Sequence, residues 1–245
     1  MDKLVYLAAQ AAKGTMSRQE NIANNLANVN TPGFRQQLMA FQSAPVTGEG
    51  SGARSFAIET SVGFDTSPGQ IQSTGREMDV AIQGEGWFAV NAPDGNEAYT
   101  RNGSFQVDGQ GNLVTQEGYG VVGTNGPINV PPDHRLSFEN DGTVSAIPLN
   151  GDTNVVQLGR LKLVNMPDGE VTRGDDGLFR AKDGNPAEVD PAVRVAGGFI
   201  ESSNVNAIDM MVQMIAAQRQ YETQMKMIST AKENGQSANS LFGMN

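Results

Sequence analysis

The sequence predicts an α+β protein. Paired N- and C-terminal amphipathic helices form a coiled-coil-like α-domain, and an antiparallel all-β domain is inserted between them. Three observations carry this reading. Helix breakers concentrate in the middle, since residues 36–200 hold 25 of the 29 glycines and 10 of the 11 prolines. Both ends carry apolar residues at alternating spacings of three and four. The middle is also punctuated by Asp-Gly and Asn-Gly pairs, the strongest short-range hairpin signal.

In the N-terminal zone, residues 1–30, Met1, Val5, Ala8, Ala12, Thr15, Gln19, Ile22, Leu26 and Val29 form a heptad-like seam. Thr31-Pro-Gly33 ends it, because proline cannot continue a helix and glycine supplies the exit turn. Five asparagines fall between residues 21 and 30, although asparagine is a poor helix former. Asn21, Asn24, Asn25 and Asn28 share a face beside the Ile22–Leu26–Val29 seam. A row of amides next to an apolar seam suits an interface made of directional, uncharged hydrogen bonds.

Residues 31–75 are polar, Gly- and Ser-rich and weakly patterned, and are read as an extended connector. Residues 76–200 are read as the β-domain. Asp-Gly pairs begin at residues 94, 108, 141, 168, 176 and 183, and Asn-Gly pairs at 102, 125 and 150. Between them lie apolar runs such as Val80-Ala-Ile82, Trp87-Phe-Ala-Val90 and Leu158–Val164.

Residues 201–245 are read as the second helix of the α-domain. The stripe runs through Met211, Met214, Gln218, Tyr221, Met225 and Ile228, and Ile208, Val212 and Ile215 widen it near its start. Asn206, followed by Asp209, supplies an N-cap and a first-turn acid. Six of the eleven methionines lie in this zone, and methionine adapts to non-identical neighbours. A single thirty-residue helix with so few large apolar residues cannot offset its own ordering entropy. These helices are therefore expected to be stable only when partners cover them.

Charge and chemistry narrow the function. The net charge is −10, and residues 36–200 carry ten basic and twenty-one acidic groups while both ends are nearly neutral. That balance argues against nucleic acid or an anionic membrane as partner. No apolar run approaches the ~20 residues of a membrane span, so membrane insertion is not expected. Met1-Asp-Lys-Leu-Val-Tyr-Leu-Ala-Ala-Gln-Ala-Ala12 has the outline of a leader, but the helical seam runs through the supposed cut. Cysteine is absent, which excludes disulfides and thiolate metal sites.

No catalytic constellation emerges, and no cofactor is expected. His134 is the single histidine, in the proline-rich loop Pro131-Pro-Asp-His-Arg135. Gly118-Tyr-Gly-Val-Val-Gly123 matches a dinucleotide fingerprint literally, but Thr124-Asn-Gly-Pro127 forbids the helix that the site requires. Arg173-Gly-Asp175 spells an adhesion tripeptide within ordinary turn composition. Two other function classes stay in view: a secreted acidic hydrolase acting on peptidoglycan, and a host-directed adhesin.

Several blocks resemble the rod and hook proteins of the bacterial flagellum. The N-terminal block is Ala23-Asn-Asn-Leu-Ala-Asn-Val-Asn-Thr-Pro-Gly-Phe34, and the C-terminal one is Glu201-Ser-Ser-Asn-Val-Asn-Ala-Ile, running on to Gln218-Arg-Gln-Tyr-Glu222. Asp79-Val-Ala-Ile-Gln-Gly-Glu-Gly-Trp-Phe88 and Tyr99-Thr-Arg-Asn-Gly-Ser-Phe105 resemble blocks of the rod and hook members with a β-domain. The resemblance implies a non-enzymatic subunit that stacks with helical symmetry into a hollow axle crossing the periplasm. It implies export through the flagellum's own type III apparatus without a cleaved signal. Its partners would be copies of itself and the inner and distal rod proteins. Thr31-Pro-Gly-Phe-Arg35 and the modest length resemble the proximal rod members more than the distal ones. Carried over from the matching blocks, the interface positions are Asn24, Asn25, Leu26, Ala27, Asn28, Thr31, Pro32, Gly33 and Phe34. At the other end they are Ser203, Asn204, Val205, Asn206 and Tyr221. The helical stripe adds Met211, Met214, Met225 and Ile228.

Overall fold

The computed structural model of the protein describes residues 2–45, 55–149, 154–167 and 169–242. Met1 of the expected seam lies outside them, as do the Asn150-Gly151 pair and Asp168. The chain divides into two compact units. One comprises residues 1–29, 36–65 and 205–245; the other comprises 30–35 and 66–204.

The first unit contains α1 (Asp2–Ala27), β1 (Gln37–Pro45), β2 (Ser55–Phe64) and the long α2 (Ala207–Phe242). α1 lies along α2. Among the described side chains of α1 the buried ones are Ala8, Ala12, Thr15, Ile22 and Asn25. On α2 they are Met210, Ala217, Gln224 and Ala231, one every seventh position. Ala8, Ala12, Thr15, Ala217 and Ala231 are small side chains, which permit close approach of the two backbones. Thr15 satisfies its buried hydroxyl by donating to the Ala11 carbonyl at 3.0 Å. Asn206 caps α2, its side-chain oxygen accepting from the amides of Ile208 (3.0 Å) and Asp209 (3.3 Å).

Gln37–Pro45 and Ser55–Phe64, which the sequence presents as connector, pair as the antiparallel strands β1 and β2, with Gln37 opposite Phe64 and Pro45 opposite Ser55. The Gly- and Ser-rich composition around residues 46–54 hides a period-two pattern, Phe56, Ile58, Val62 and Phe64.

The second unit is the β-domain. Its strands are β3 (Ile71–Ser73), β4 (Val80–Gln83), β5 (Trp87–Asn91), β6 (Glu97–Thr100), β7 (Phe105–Val107), β8 (Leu113–Thr115), β9 (Gly120–Gly123), β10 (Gly126–Pro127) and β11 (His134–Phe138). β12 (Thr143–Pro148), β13 (Val156–Arg160), β14 (Leu163–Val164), β15 (Val171–Arg173), β16 (Phe179–Ala181), β17 (Arg194–Gly197) and β18 (Phe199–Glu201) follow. The main sheet runs β15-β16-β6-β5-β9-β8-β7, with β14 added to β5 and β10 to β9. β11, β12 and β13 form a second sheet, and β17 pairs with β4 and β18 with β3. Every pairing is antiparallel.

The unbroken run Trp87-Phe-Ala-Val90 has a structural reason: β5 is interior to the sheet and all four residues are buried. Val80, Ile82, Phe88, Phe105, Leu113, Leu136 and Val195 share its core, with the Phe88 and Phe105 rings edge to face at 5.3 Å.

Asp-Gly pairs close the β5–β6, β7–β8, β11–β12 and β15–β16 hairpins. In each, the aspartate oxygen accepts the amide two residues on: Asn96, Gln110, Thr143 and Leu178 respectively. Asp183 does the same with Asn185. These and neighbouring hydrogen bonds hold the carboxyls below their usual range. The leading causes are the Asn96 amide for Asp94, the Asn112 side chain for Asp108, the Thr143 amide for Asp141, the Arg180 guanidinium for Asp176 and the Asn185 amide for Asp183. A folded pKa below the unfolded one stabilises fully above the unfolded value and is lost as pH falls through the folded one. The thermal midpoint of the β-domain is thus expected to be flat between about pH 7 and 5 and to fall below about pH 4. Melting curves followed by the fluorescence of Trp87, the one tryptophan, check this. A midpoint that rises on acidification contradicts it.

Candidate assembly interface

Each of the two signature blocks is divided between the two units. In the β-domain, Thr31–Arg35 makes a tight turn beside residues 201–204. The Thr31 carbonyl accepts from the Phe34 amide at 3.2 Å, and the Gly33 amide donates to the Glu201 carbonyl at 2.8 Å. The Phe34 carbonyl in turn accepts from the Asn204 amide at 3.3 Å. Asn204 also donates its side-chain amide to the Ser67 carbonyl at 3.0 Å. Ser203 and Pro32 are half-buried.

Gly33 has φ +67° and leaves no room for a side chain. A Cβ there would collide with the backbone of Arg101 and Asn102, lying 2.7 Å from the Arg101 carbonyl oxygen. α1 ends at Ala27, before the motif's proline, rather than at the motif itself, and the motif's glycine lets the chain lie flat on the β-domain. Phe34 is buried under the Arg173 guanidinium, 4.5 Å from the ring centroid. Burial pushes the pKa of Arg173 down.

Three charged residues absent from the predicted positions anchor this turn. Glu201 lies between Arg35 and Arg101, and all three are at most 2% exposed. One carboxylate oxygen accepts from Arg35 Nη1 at 2.6 Å and from the Gly69 amide at 2.8 Å. The other accepts from Arg101 Nε at 2.8 Å and forms an ion pair with Arg101 Nη2 at 2.6 Å. Arg101 completes its donors on the carbonyls of Gly86 (2.6 Å) and Gly84 (2.8 Å). The three residues are 166 and 100 positions apart, so no local pattern links them. The signal that was available is that each falls within or at the edge of a block that carries the family resemblance.

The remaining predicted residues belong to the helical unit. Asn25 is 1% exposed and imitates a strand partner of Gln37. Its side-chain amide donates to the Gln37 carbonyl at 2.9 Å, and its oxygen accepts the Gln37 amide at 2.8 Å. The Asn21 side chain accepts a second bond from it at 3.2 Å. The asparagine face is therefore split. Asn25 holds β1, Asn28 caps the Asn24 carbonyl at 2.9 Å, and Asn24 and Ala27 are exposed. Leu26 is half-buried and Val205 buried.

The stripe of α2 is split in the same way. Met214, Tyr221 and Ile228 are half-buried, whereas Met211 and Met225 are exposed. Ile208, Met211, Val212 and Ile215 form a contiguous apolar face, 52–72% exposed. The buried seam is rotated by one residue from the predicted stripe, toward Met210, Ala217, Gln224 and Ala231. Two of these are alanines, which hydrophobic periodicity weighs lightly, and the larger methionines and isoleucines lie outside.

Among the described residues no group of three or more His, Cys, Asp or Glu side chains could hold a metal ion. No described helix is long and apolar enough to cross a membrane. His134 bonds the Pro132 carbonyl through Nδ1, and Gly120–Gly123 is strand β9, followed by the β10 hairpin.

Comparison with known proteins agrees along the whole chain. Residues 6–35 match the family described as flagella basal body rod protein. Residues 81–146 match the flagellar hook protein FlgE/F/G D1 domain, and 196–241 the flagellar basal body rod FlgEFG protein C-terminal region. The chain is 45% identical to the flagellar basal-body rod protein FlgF of Escherichia coli K12 and 43% identical to that of Salmonella typhimurium, with full coverage of both partners in each case. It is 34% identical to the rod protein FlgG of Bacillus subtilis over 95% of this chain and 96% of that one. The chain belongs to the flagellar basal-body rod protein family and is a structural rod subunit.

Proposed function

We propose that the chain builds the proximal rod, assembling helically through its terminal helices to join inner rod to distal rod. The observation that carries this is the exposed apolar face Ile208–Met211–Val212–Ile215 on a capped helix. Such a face on a solitary molecule is an assembly surface awaiting its cover. In this reading α1 and α2 pair as a coiled coil, copies and neighbouring rod proteins cover the outward stripe, and subunits reach the rod through the flagellar type III export apparatus. Open, head-to-tail contacts between copies would generate the filament. The 45% and 43% identity to the FlgF proteins of Escherichia coli and Salmonella typhimurium, against 34% to the FlgG protein of Bacillus subtilis, favours the proximal over the distal position. The rod family is structural, and the chain is read as carrying no catalytic role.

The test is complementation of a strain lacking the subunit with an Ile208→Asp, Val212→Asp double variant. Both positions are exposed, so the isolated subunit should melt within about 0.5 kcal/mol of wild type. Swimming should be lost. Normal swimming on intact rods would overturn the reading. Labelling of purified basal bodies with an antibody should mark the inner part of the rod, and a signal confined to the outer part would assign the distal position.

A further inference from the structure

Beneath the Arg35–Glu201–Arg101 cluster the β-domain holds a cavity of about 250 Å³. Arg35, Ser67, Glu85, Trp87, Arg101 and Asn165 contribute to its wall. Among the described residues, the buried charges around it do not balance. Two buried guanidinium groups share the single carboxylate of Glu201, whose oxygens already accept from both arginines and the Gly69 amide. Arg35 is 2% exposed, and its Nε has no hydrogen-bond partner among the described residues. Glu85 is exposed and makes no ion pair with either arginine among the described residues. A buried cation without a counter-charge is costly, and an anion entering the cavity would relieve it. Burial, and the like charge of Arg35, hold Arg101 down at about 10 despite Glu201.

We infer that this cavity is an anion site that takes a carboxylate. Arginine favours such a ligand because its planar fork matches the two carboxylate oxygens. Ser67 and Asn165 add neutral hydrogen-bonding groups to the wall, and Trp87 an aromatic one. The carboxylate has two possible sources: a small free acid, or an acidic side chain of a second copy, since residues 36–200 carry twenty-one acids. The inference stands apart from the rod reading, because motility is not its readout.

The test uses the full chain, glutarate as probe, and Trp87, which lies in the cavity wall and is the chain's one tryptophan. Glutarate should produce a saturable change in Trp87 emission with a Kd of about millimolar. The response should weaken with added salt, and uncharged 1,5-pentanediol should give none. Replacing Arg35 risks unfolding the domain, so the informative variant is Asn165→Asp, which builds a carboxylate into the wall. It should weaken the glutarate response at least tenfold and raise the melting midpoint by about 2–4 °C. If dilute wild type ignores glutarate but self-associates in sedimentation, and Asn165→Asp weakens that association tenfold, the carboxylate is that of a second copy. The inference is overturned if neither glutarate nor self-association responds to Asn165→Asp, or if that variant lowers the midpoint.

Discussion

Glu201→Gln is expected to destabilise the β-domain by about 3–5 kcal/mol, the scale on which removing one partner from a buried ion pair acts. The wild-type carboxylate accepts from Arg35, Arg101 and the Gly69 amide, at 2.6–2.8 Å, with no exposure to water. Glutamine keeps the shape but removes the charge and turns one acceptor into a donor facing a guanidinium. Two buried cations then face each other without a counter-ion. Urea unfolding followed by Trp87 reports on this domain, and a midpoint close to wild type would mean that water already reaches the cluster.

Gly33→Ala carries the second large effect. The residue sits at φ +67°, which costs an L-residue roughly 1–2 kcal/mol. The added methyl also meets backbone, the Arg101 and Asn102 peptide, rather than a side chain that could turn away. The turn must lift off the domain, weakening the Gly33–Glu201 and Phe34–Asn204 hydrogen bonds together. A total loss of about 3 kcal/mol or more is expected. Gly95→Ala is the internal control: its φ is +80°, but a methyl there meets nothing within 4 Å, so only the conformational cost applies. Equal losses at the two glycines would refute the close-contact explanation for Gly33.

What the sequence disclosed follows from the range of the forces involved. The Asp-Gly turns were legible because an aspartate bonding the amide two residues on is a local event. The α1 seam was legible because Ala8, Ala12, Thr15 and Ile22 repeat at helical spacing. The β1–β2 hairpin was obscured by the polar, Gly-rich stretch between its strands, although Phe56, Ile58 and Val62 alternate. On α2 the apolar stripe was legible as a surface needing cover, but not which side of the helix is buried within the chain, where Ala217 and Gln224 are buried while Met211 and Met225 are exposed. The Arg35–Glu201–Arg101 cluster was beyond local reading altogether, being made by chain segments that meet only after folding.

That outward face offers the most direct measurement. The chain has no cysteine, so Met211→Cys places one thiol on the exposed stripe against no background. Maleimide labelling should be rapid in the dilute subunit and, if neighbouring helices cover the stripe, at least tenfold slower in purified basal bodies. Equal labelling in both would contradict assembly through the terminal helices.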